Sequence, residues 1–201
     1  DVLDIRLDER CKHIGLDHLG LPLRGRVRVH PEHLTGMARP IDVAGEHHWW
    51  PVAPVSRVEV ELGSPDLRFQ GTAYHDANWG DAPLESGFRS WNWSRAELDA
   101  GTAVLYDCVL PDGSLHEWGR LIRRDGRIEG FEPARRVDLG AGKWRVDRAT
   151  RTDPSGEASV RQSLEDTPFY TRSMLDTTLA GERAVAMHES IDFERFDSRW
   201  V

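Results

Sequence analysis

Apolar and polar positions alternate with a period of two through most of the chain. DVLDIRLDER alternates apolar with charged residues, GRVRVHPEH sets Val27 and Val29 on one face, and RVEVELGS sets Val58, Val60 and Leu62 against Glu59 and Glu61. That period belongs to strands. LRFQGTAYHDANW predicts a long strand in which Gly71 allows a bend or close packing, and GFRSWNWSRAEL predicts the next. TAVLYDCVLPDGSLHEWGRLIRRDGRIEGFE reads as three strands joined at PDG and RDG, both strong turn signals. RRVDLG, KWRVDRATRT, SVRQSLEDT, FYTRSML and AVAMHESIDFERF continue the series. HIGLDHLGLPLRG reads as a loop punctuated by Gly and Pro, and HHWWPVAP as a boundary, because its two prolines break regular structure. No segment carries a helical period. A turn about every ten residues predicts an all-β fold, an up-and-down β-barrel or sandwich, and about ten short strands suit a closed barrel whose mouth or lumen holds one small ligand.

Composition narrows the classes. The 201 residues suffice for one large domain, or one domain and part of another, and 30% charged with 39% hydrophobic residues is a globular composition. A formal charge of -8 argues against nucleic-acid binding and leaves no polybasic patch for anionic lipid. No apolar run reaches the ~18 residues of a membrane helix, and no signal-peptide pattern is present. Cys11 and Cys108 are far apart, without CxxC spacing, and read as reduced, buried thiols. His13, His18, His30 and His33 have no ligand spacing and read as solvated or capping residues, while His47 and His48, adjacent on a strand, point to opposite faces. No metal site is expected. GxSxG, HExxH, P-loop and GxGxxG motifs are absent, Gly140–Gly142 reads as a turn, and Arg135–Arg136 is too small a patch for phosphate.

The chemistry concentrates between Tyr74 and Arg95, in YHDANWG and SGFRSWNWSRA. With period two, His75, Ala77 and Trp79 share a face opposite Tyr74, Asp76 and Asn78. In the next strand Trp91, Trp93 and Arg95 share a face, and Ser90, Asn92 and Ser94 the other. Small polar residues suit the outside, so Trp91, Trp93 and Arg95 are expected to point inward. An inward Trp wall suits an apolar, rod-like ligand or a transient carbocation. Tyr106 and Asp107 add titratable groups from a strand that can lie alongside. Each feature also has a plain structural explanation: Trp clusters in barrels are ordinarily core, His-Asp neighbours are often a surface pair, and Arg95 can simply pair with a carboxylate. Composition alone stops at a β-barrel with an apolar pocket.

YHDANWG, WNWSRAEL, AVLYDC, LEDTPFYTRSML and AMHESIDFERF together resemble the carotenoid 1,2-hydratase (hydroxyneurosporene synthase) family, over His47 to Val201. The resemblance implies a lipocalin-like fold of two β-barrel domains with the ligand between or within them. Residues 1–45 would be the tail of an upstream β domain and 46–201 the barrel that carries the site. It implies hydration of the terminal 1,2 double bond of an acyclic carotenoid, neurosporene or lycopene, to a tertiary alcohol without a redox cofactor: protonation at C2, a cation at C1, then attack by water. In that scheme Asp76 assisted by His75, or Asp107 with Tyr106, is the acid side. Trp79, Trp91 and Trp93 face the cation, and Asn78 and Arg95 orient water or a carboxylate. Ala77 departs from the family pattern, in which a second His often stands there. Implied partners are the carotenoid, the upstream domain of the same protein and, by peripheral contact, a membrane, on the cytoplasmic side of a bacterial inner membrane. The chain opens at Asp1 in mid-pattern, which predicts further sequence upstream. The alternatives are a lipocalin-like pericyclase, a non-catalytic carrier of an apolar polyene, and a portion inactive alone.

Overall fold

The computed structural model describes residues 1–11, 20–36, 38–133, 135–196 and 198, with Cys11 described by its backbone alone. The expectations for His13, His18 and the Cys11 thiol therefore lie outside the described residues. The elements are β1 (Leu3–Cys11), β2 (Leu21–Pro31), β3 (Arg39–Pro40), β4 (His47–Ser64), β5 (Asp66–Gly80), α1 (Leu84–Gly87), β6 (Ser90–Leu98), β7 (Gly101–Val109), β8 (Leu115–Arg123), β9 (Ile128–Gly130), β10 (Arg135–Asp138), β11 (Ala149–Thr152), β12 (Ala158–Asp166), β13 (Tyr170–Leu179), β14 (Glu182–Asp192) and α2 (Phe193–Phe196). The pairs β1–β2, β2–β4, β3–β4, β6–β7, β7–β8, β8–β9, β10–β11, β12–β13, β13–β14 and β14–β6 are all antiparallel, as an up-and-down chain requires.

The chain divides into two compact units. The first comprises Asp1–Gly36 and Pro51–Asp76, the second Met37–Trp50 and Ala77–Val201. This is a different cut from one between residues 45 and 46, because β2 pairs with β4 along Val27↔Val60 and Val29↔Val58. The prolines of HHWWPVAP do not interrupt β4, which runs through all 18 residues. Pro51 and Pro54 have no N–H, and here the strand is held by its carbonyls: Thr35 N–H donates to Val52 O and Glu32 N–H to Val55 O.

In the first unit, Val29, Val58, Val60 and Leu62 form a core with Leu7, Leu23, Val27 and Ala73, the apolar face that the alternation predicts. Arg28 on the opposite face pairs with Glu59 and Glu61.

The second unit is built on a seven-stranded sheet in the order β12-β13-β14-β6-β7-β8-β9. The PDG and RDG turns behave as predicted, with Gly113 and Gly126 at φ of 84° and 83°. One face of the sheet carries an aliphatic core, Ala96, Leu98, Ala103, Leu105, Leu121, Leu175, Leu179 and Ala186, and the other buries Trp91, Val104, Tyr106 and Ile122. Fully burying each large side chain contributes about 1.5–3 kcal/mol. The short β10-β11 ribbon lies against the polar end of the same face. Ala149 N–H donates to Asn92 Oδ1 at 2.8 Å, and Ser94 Oγ and Thr150 Oγ1 share a hydrogen bond of 3.1 Å.

Candidate active site

Both faces of β6 are covered: the inward facing expected for Trp91 agrees with its burial, but Asn92 and Ser94 do not lie outside. Asn92 and Ser94 point to the core side, where β11 supplies partners for their polar atoms, and Ser190 Oγ also donates to Asn92 Oδ1 at 2.7 Å. Trp91, Trp93 and Arg95 therefore take the other face. Small polar residues suited the outside only while no second layer was in view.

The same parity separates Tyr106 from Asp107. Asp107 faces the core side and is buried, accepting Arg151 Nε at 2.7 Å, with Arg136 Nε at 3.7 Å from its other oxygen. Arg151 also pairs with Glu117. Burial opposes the Arg151 charge, but Asp107 and Glu117 outweigh it and hold the guanidinium more firmly protonated. Asp107 is committed as an ion-pair acceptor, and Tyr106 and Asp107 do not act as one pair. Nearby on this face His188 is fully buried, donating from Nε2 to Ala149 O at 2.9 Å. Burial, with the Arg148 charge, lowers its pKa to about 4, so the ring is neutral.

On the opposite face, strand register aligns five side chains in one row: Arg172 on β13 opposite Glu189 on β14, Glu189 opposite Trp93 on β6, Trp93 opposite Tyr106 on β7, and Tyr106 opposite Trp118 on β8. Four interstrand steps make the row about 19 Å long. Arg172 Nε donates to Glu189 Oε1 at 3.0 Å. Tyr106 and Trp118 have ring centroids 4.5 Å apart, and Trp49 packs on both, at 6.1 and 5.3 Å. Asn78 Nδ2 donates to the Tyr106 hydroxyl at 3.3 Å, which orients that hydroxyl to donate in turn. The buried indole N–H of Trp118 has no partner among the described residues. Tyr170, one position along β13 from the row's neighbour Thr171, has its ring 5.7 Å from the Arg172 guanidinium carbon. Burial, then the Glu189 charge, pushes the Tyr170 phenol up and keeps it a protonated donor.

The other predicted residues fall as follows. Trp91 is buried against Phe88 and Phe193, with centroids at 5.4 and 4.9 Å, and serves as core rather than ligand wall. Arg95 shares the face of Trp93, between Met187 and Val104. Trp79 is 46% exposed and stacks on His48 at 5.5 Å, away from the row. Asp76 accepts the Tyr74 hydroxyl at 3.0 Å in the first unit, and strand geometry sends half-buried His75 to the opposite face. Cys108 is a free, buried thiol, its pKa raised first by burial and then by the charges of Asp107 and Asp42.

His47, not singled out for chemistry by the sequence, is fully buried, with Nδ1 on Asp42 Oδ2 at 2.9 Å and Nε2 donating to Ala82 O at 3.0 Å. Burial opposes the Asp42 charge, but the hydrogen bonds from His47 prevail and lower its pKa. A Cβ at Gly80 or Gly87 would stand 2.7 Å from the His47 ring, which explains both glycines. Both ring nitrogens are used and the ring is sealed, so this pair fastens the β3–β4 loop. No group of three potential metal ligands occurs among the described residues.

Sequence reasoning missed Trp118, Arg172, Glu189 and Tyr170. FYTRSML and AMHESIDFERF contain three of them, but only the pairing of β13, β14 and β6 brings them beside Trp93.

Comparison with known proteins follows the same lines. The family model Carotenoid hydratase CrtC matches residues 1–201. The acyclic carotenoid 1,2-hydratase of Thiocapsa roseopersicina is 44% identical over 177 residues, covering 88% of this chain and 44% of that protein. That of Rubrivivax gelatinosus is 43% identical over 183 residues, covering 89% and 45%. The chain thus spans about half the length of these curated relatives. Among solved structures, an AttH protein of Nitrosomonas europaea superimposes with a TM-score of 0.59 at 16% identity, covering 88% of this chain and 66% of that one, which establishes likeness of fold.

Proposed function

This chain belongs to the carotenoid hydratase family, and from that premise we propose that it takes part in adding water to the terminal 1,2 double bond of an acyclic carotenoid, as a hydro-lyase. The observation that carries this reading is the row Arg172–Glu189–Trp93–Tyr106–Trp118 with Asn78 on the Tyr106 hydroxyl. It combines three aromatic side chains over two interstrand steps, about 10 Å, the central Tyr106 buried beneath Trp49, with an oriented carboxylate and hydroxyl. Neurosporene and lycopene are the substrates proposed, since each is a linear polyene ending in a trisubstituted alkene.

The reaction requires a proton delivered to C2, stabilisation of the tertiary cation at C1, and water attacking C1 with loss of a proton. The ring faces of Trp93 and Tyr106 attract the developing positive charge. The Tyr106 hydroxyl, oriented by Asn78 to donate, delivers the proton to C2; the Glu189 carboxylate, oriented by Arg172, holds the attacking water and takes the proton it loses, and exchange with solvent returns a proton to Tyr106 and removes one from Glu189, so that one water is added overall. The net change is addition of one water, with no net redox change, so the scheme uses no redox cofactor. The substrate's lipid solubility supports peripheral contact with a membrane, proposed for the cytoplasmic face of the inner membrane.

The test is turnover of detergent-dispersed lycopene and neurosporene by Glu189→Gln, Tyr106→Phe and Trp93→Ala. Glu189→Gln is expected to lose about 10²–10⁴ in kcat while substrate binding stays within about tenfold. Asp76→Asn and His75→Gln run alongside, because Asp76 is the carboxyl that the family resemblance assigns to protonation. Undiminished turnover in all three row variants would overturn the reading, and binding without turnover in the parent would make the protein a carrier.

A further inference from the structure

The turn between β12 and β13 fixes Tyr170, the first residue of β13. Thr167 N–H donates to Tyr170 O at 2.8 Å, Tyr170 N–H donates to Thr167 Oγ1 at 3.0 Å, and Asp192 N–H donates to Phe169 O at 2.9 Å. Arg172, two positions on, shares the face of Tyr170. Register sets Tyr170 opposite Ile191 and Arg172 opposite Glu189. Tyr170 and Glu189 are therefore diagonal neighbours, a spacing that an aromatic side chain spans. Arg172 is held in between: Nε donates to Glu189 Oε1 at 3.0 Å, Nη1 lies 3.6 Å from Glu165, and the guanidinium carbon stands 5.7 Å from the Tyr170 ring.

The contact with Arg172 accounts for the ring of Tyr170, and phenylalanine would serve as well. The hydroxyl needs its own account. Its oxygen is buried and has no hydrogen-bond partner of good geometry among the described residues. Burying a hydroxyl unpaired is costly, so such a group points to something that completes it. Its proton stays on, because burial first, and then the Glu189 charge, oppose ionisation. The row thus carries, beside Glu189, a fixed O–H donor whose acceptor is not a protein group. Glu189 has Oε1 on Arg172, which leaves Oε2, and its side chain is 25% exposed, so water reaches it.

We propose that Tyr170 is a positioning residue for the attacking water, its hydroxyl donating to the water oxygen while Glu189 accepts one of the water's protons. This rests on the hydration reading above. The water oxygen then has one lone pair on Tyr170, one O–H on Glu189 Oε2, and its other lone pair turned to C1. As the C1–O bond forms, that O–H bond breaks and its proton passes to Glu189; Tyr170 keeps its own proton, and the one delivered to C2 comes from Tyr106. The role of Tyr170 shows in the fate of the cation. A cation that water does not capture loses a proton from C2 or from a methyl group on C1 and reverts to an alkene. A water held in place makes capture the faster outcome.

Incubation of the protein with detergent-dispersed lycopene in deuterium oxide reads both fates by mass spectrometry. Deuterium in the alcohol counts cations captured by water, and deuterium in the recovered polyene counts cations that reverted. Tyr170→Phe keeps the ring beside Arg172 and removes the hydroxyl. It is expected to raise the ratio of deuterated polyene to alcohol about tenfold, and to lower kcat while KM changes by less than about threefold. Tyr106→Phe, which removes the acid, should lower both products together and leave the ratio within about twofold of the parent's. The ratio is counted per cation formed and is independent of the fraction of protein folded, so a variant that folds poorly still answers. An unchanged ratio in Tyr170→Phe, or the loss of both labelled products in that variant, overturns the role of Tyr170 and leaves the hydration reading standing if the parent forms alcohol. Absence of alcohol from the parent overturns both.

Discussion

Asp107→Asn separates structure from chemistry at the position where the sequence suggested an acid. The Asp107 side chain is 6% exposed and its partner Arg151 17%. Removing one member of a buried ion pair costs about 3–5 kcal/mol. Two features reduce that here: Asn keeps an oxygen for Arg151 Nε, and Glu117 still compensates the guanidinium. A loss of about 2 kcal/mol is expected, which for a urea dependence of about 2 kcal/mol per molar moves the unfolding midpoint down by about 1 M. Urea titration followed by tryptophan fluorescence reads that shift, and kcat and KM on lycopene are measured where the variant is folded. The expected result is a lowered midpoint with kcat within about threefold of the parent. A kcat lowered a hundredfold with an unchanged midpoint would refute the reasoning and return Asp107 to the chemistry.

Other predictions follow from individual contacts. His188 titrates at about 4 in the folded chain against 6.5 as a model group, so the unfolded chain takes up its proton first and stability falls as pH drops from 6.5 toward 4. The loss is about 3 kcal/mol at most, and His188→Gln should remove that part of the slope in urea titrations at pH 7.5 and 4.5. Gly87→Ala forces a Cβ to 2.7 Å from the His47 ring and should cost about 1–3 kcal/mol, seen as a fall in Tm of several degrees; an unchanged Tm would show that the ring yields. Asn78→Ala removes the donor to Tyr106, and kcat should fall more than binding, by about tenfold, in steady-state assays.

The all-β fold was readable because period-two alternation, Gly-containing turns and about ten-residue spacing all act locally. The predicted strands after Arg57 have counterparts in the structure, with Gly113 and Gly126 at the hairpin turns, except that KWRVDRATRT is a strand only over Ala149–Thr152 and AVAMHESIDFERF ends in a helical turn at Phe193–Phe196. The HHWWPVAP break was misjudged because a proline's cost depends on whether a neighbour needs its N–H, and Thr35 and Glu32 use carbonyls instead. On β6 alternation separates two faces without telling that both are covered: Asn92 and Ser94 look solvated until β11 is laid against them, while Trp91 is buried on the other face. Trp93 and Asn78 were legible because the Tyr74–Arg95 segment crowds aromatic and polar groups together, and Tyr106 as a titratable group on a strand that can lie alongside. Glu189, Arg172 and Trp118 were not, since membership of the row depends on register between strands as far apart in sequence as Trp93 and Glu189, and alternation carries no register.

The central claim is that the row adds water to a polyene, and oxygen labelling tests it most directly. The protein is incubated with detergent-dispersed lycopene or neurosporene in water enriched in heavy oxygen, and the product is weighed by mass spectrometry. The account predicts a tertiary alcohol carrying one labelled oxygen for each end hydrated, with the yield collapsing in Glu189→Gln and persisting in Asp107→Asn. Label absent from every product, or label undiminished in Glu189→Gln, would contradict it.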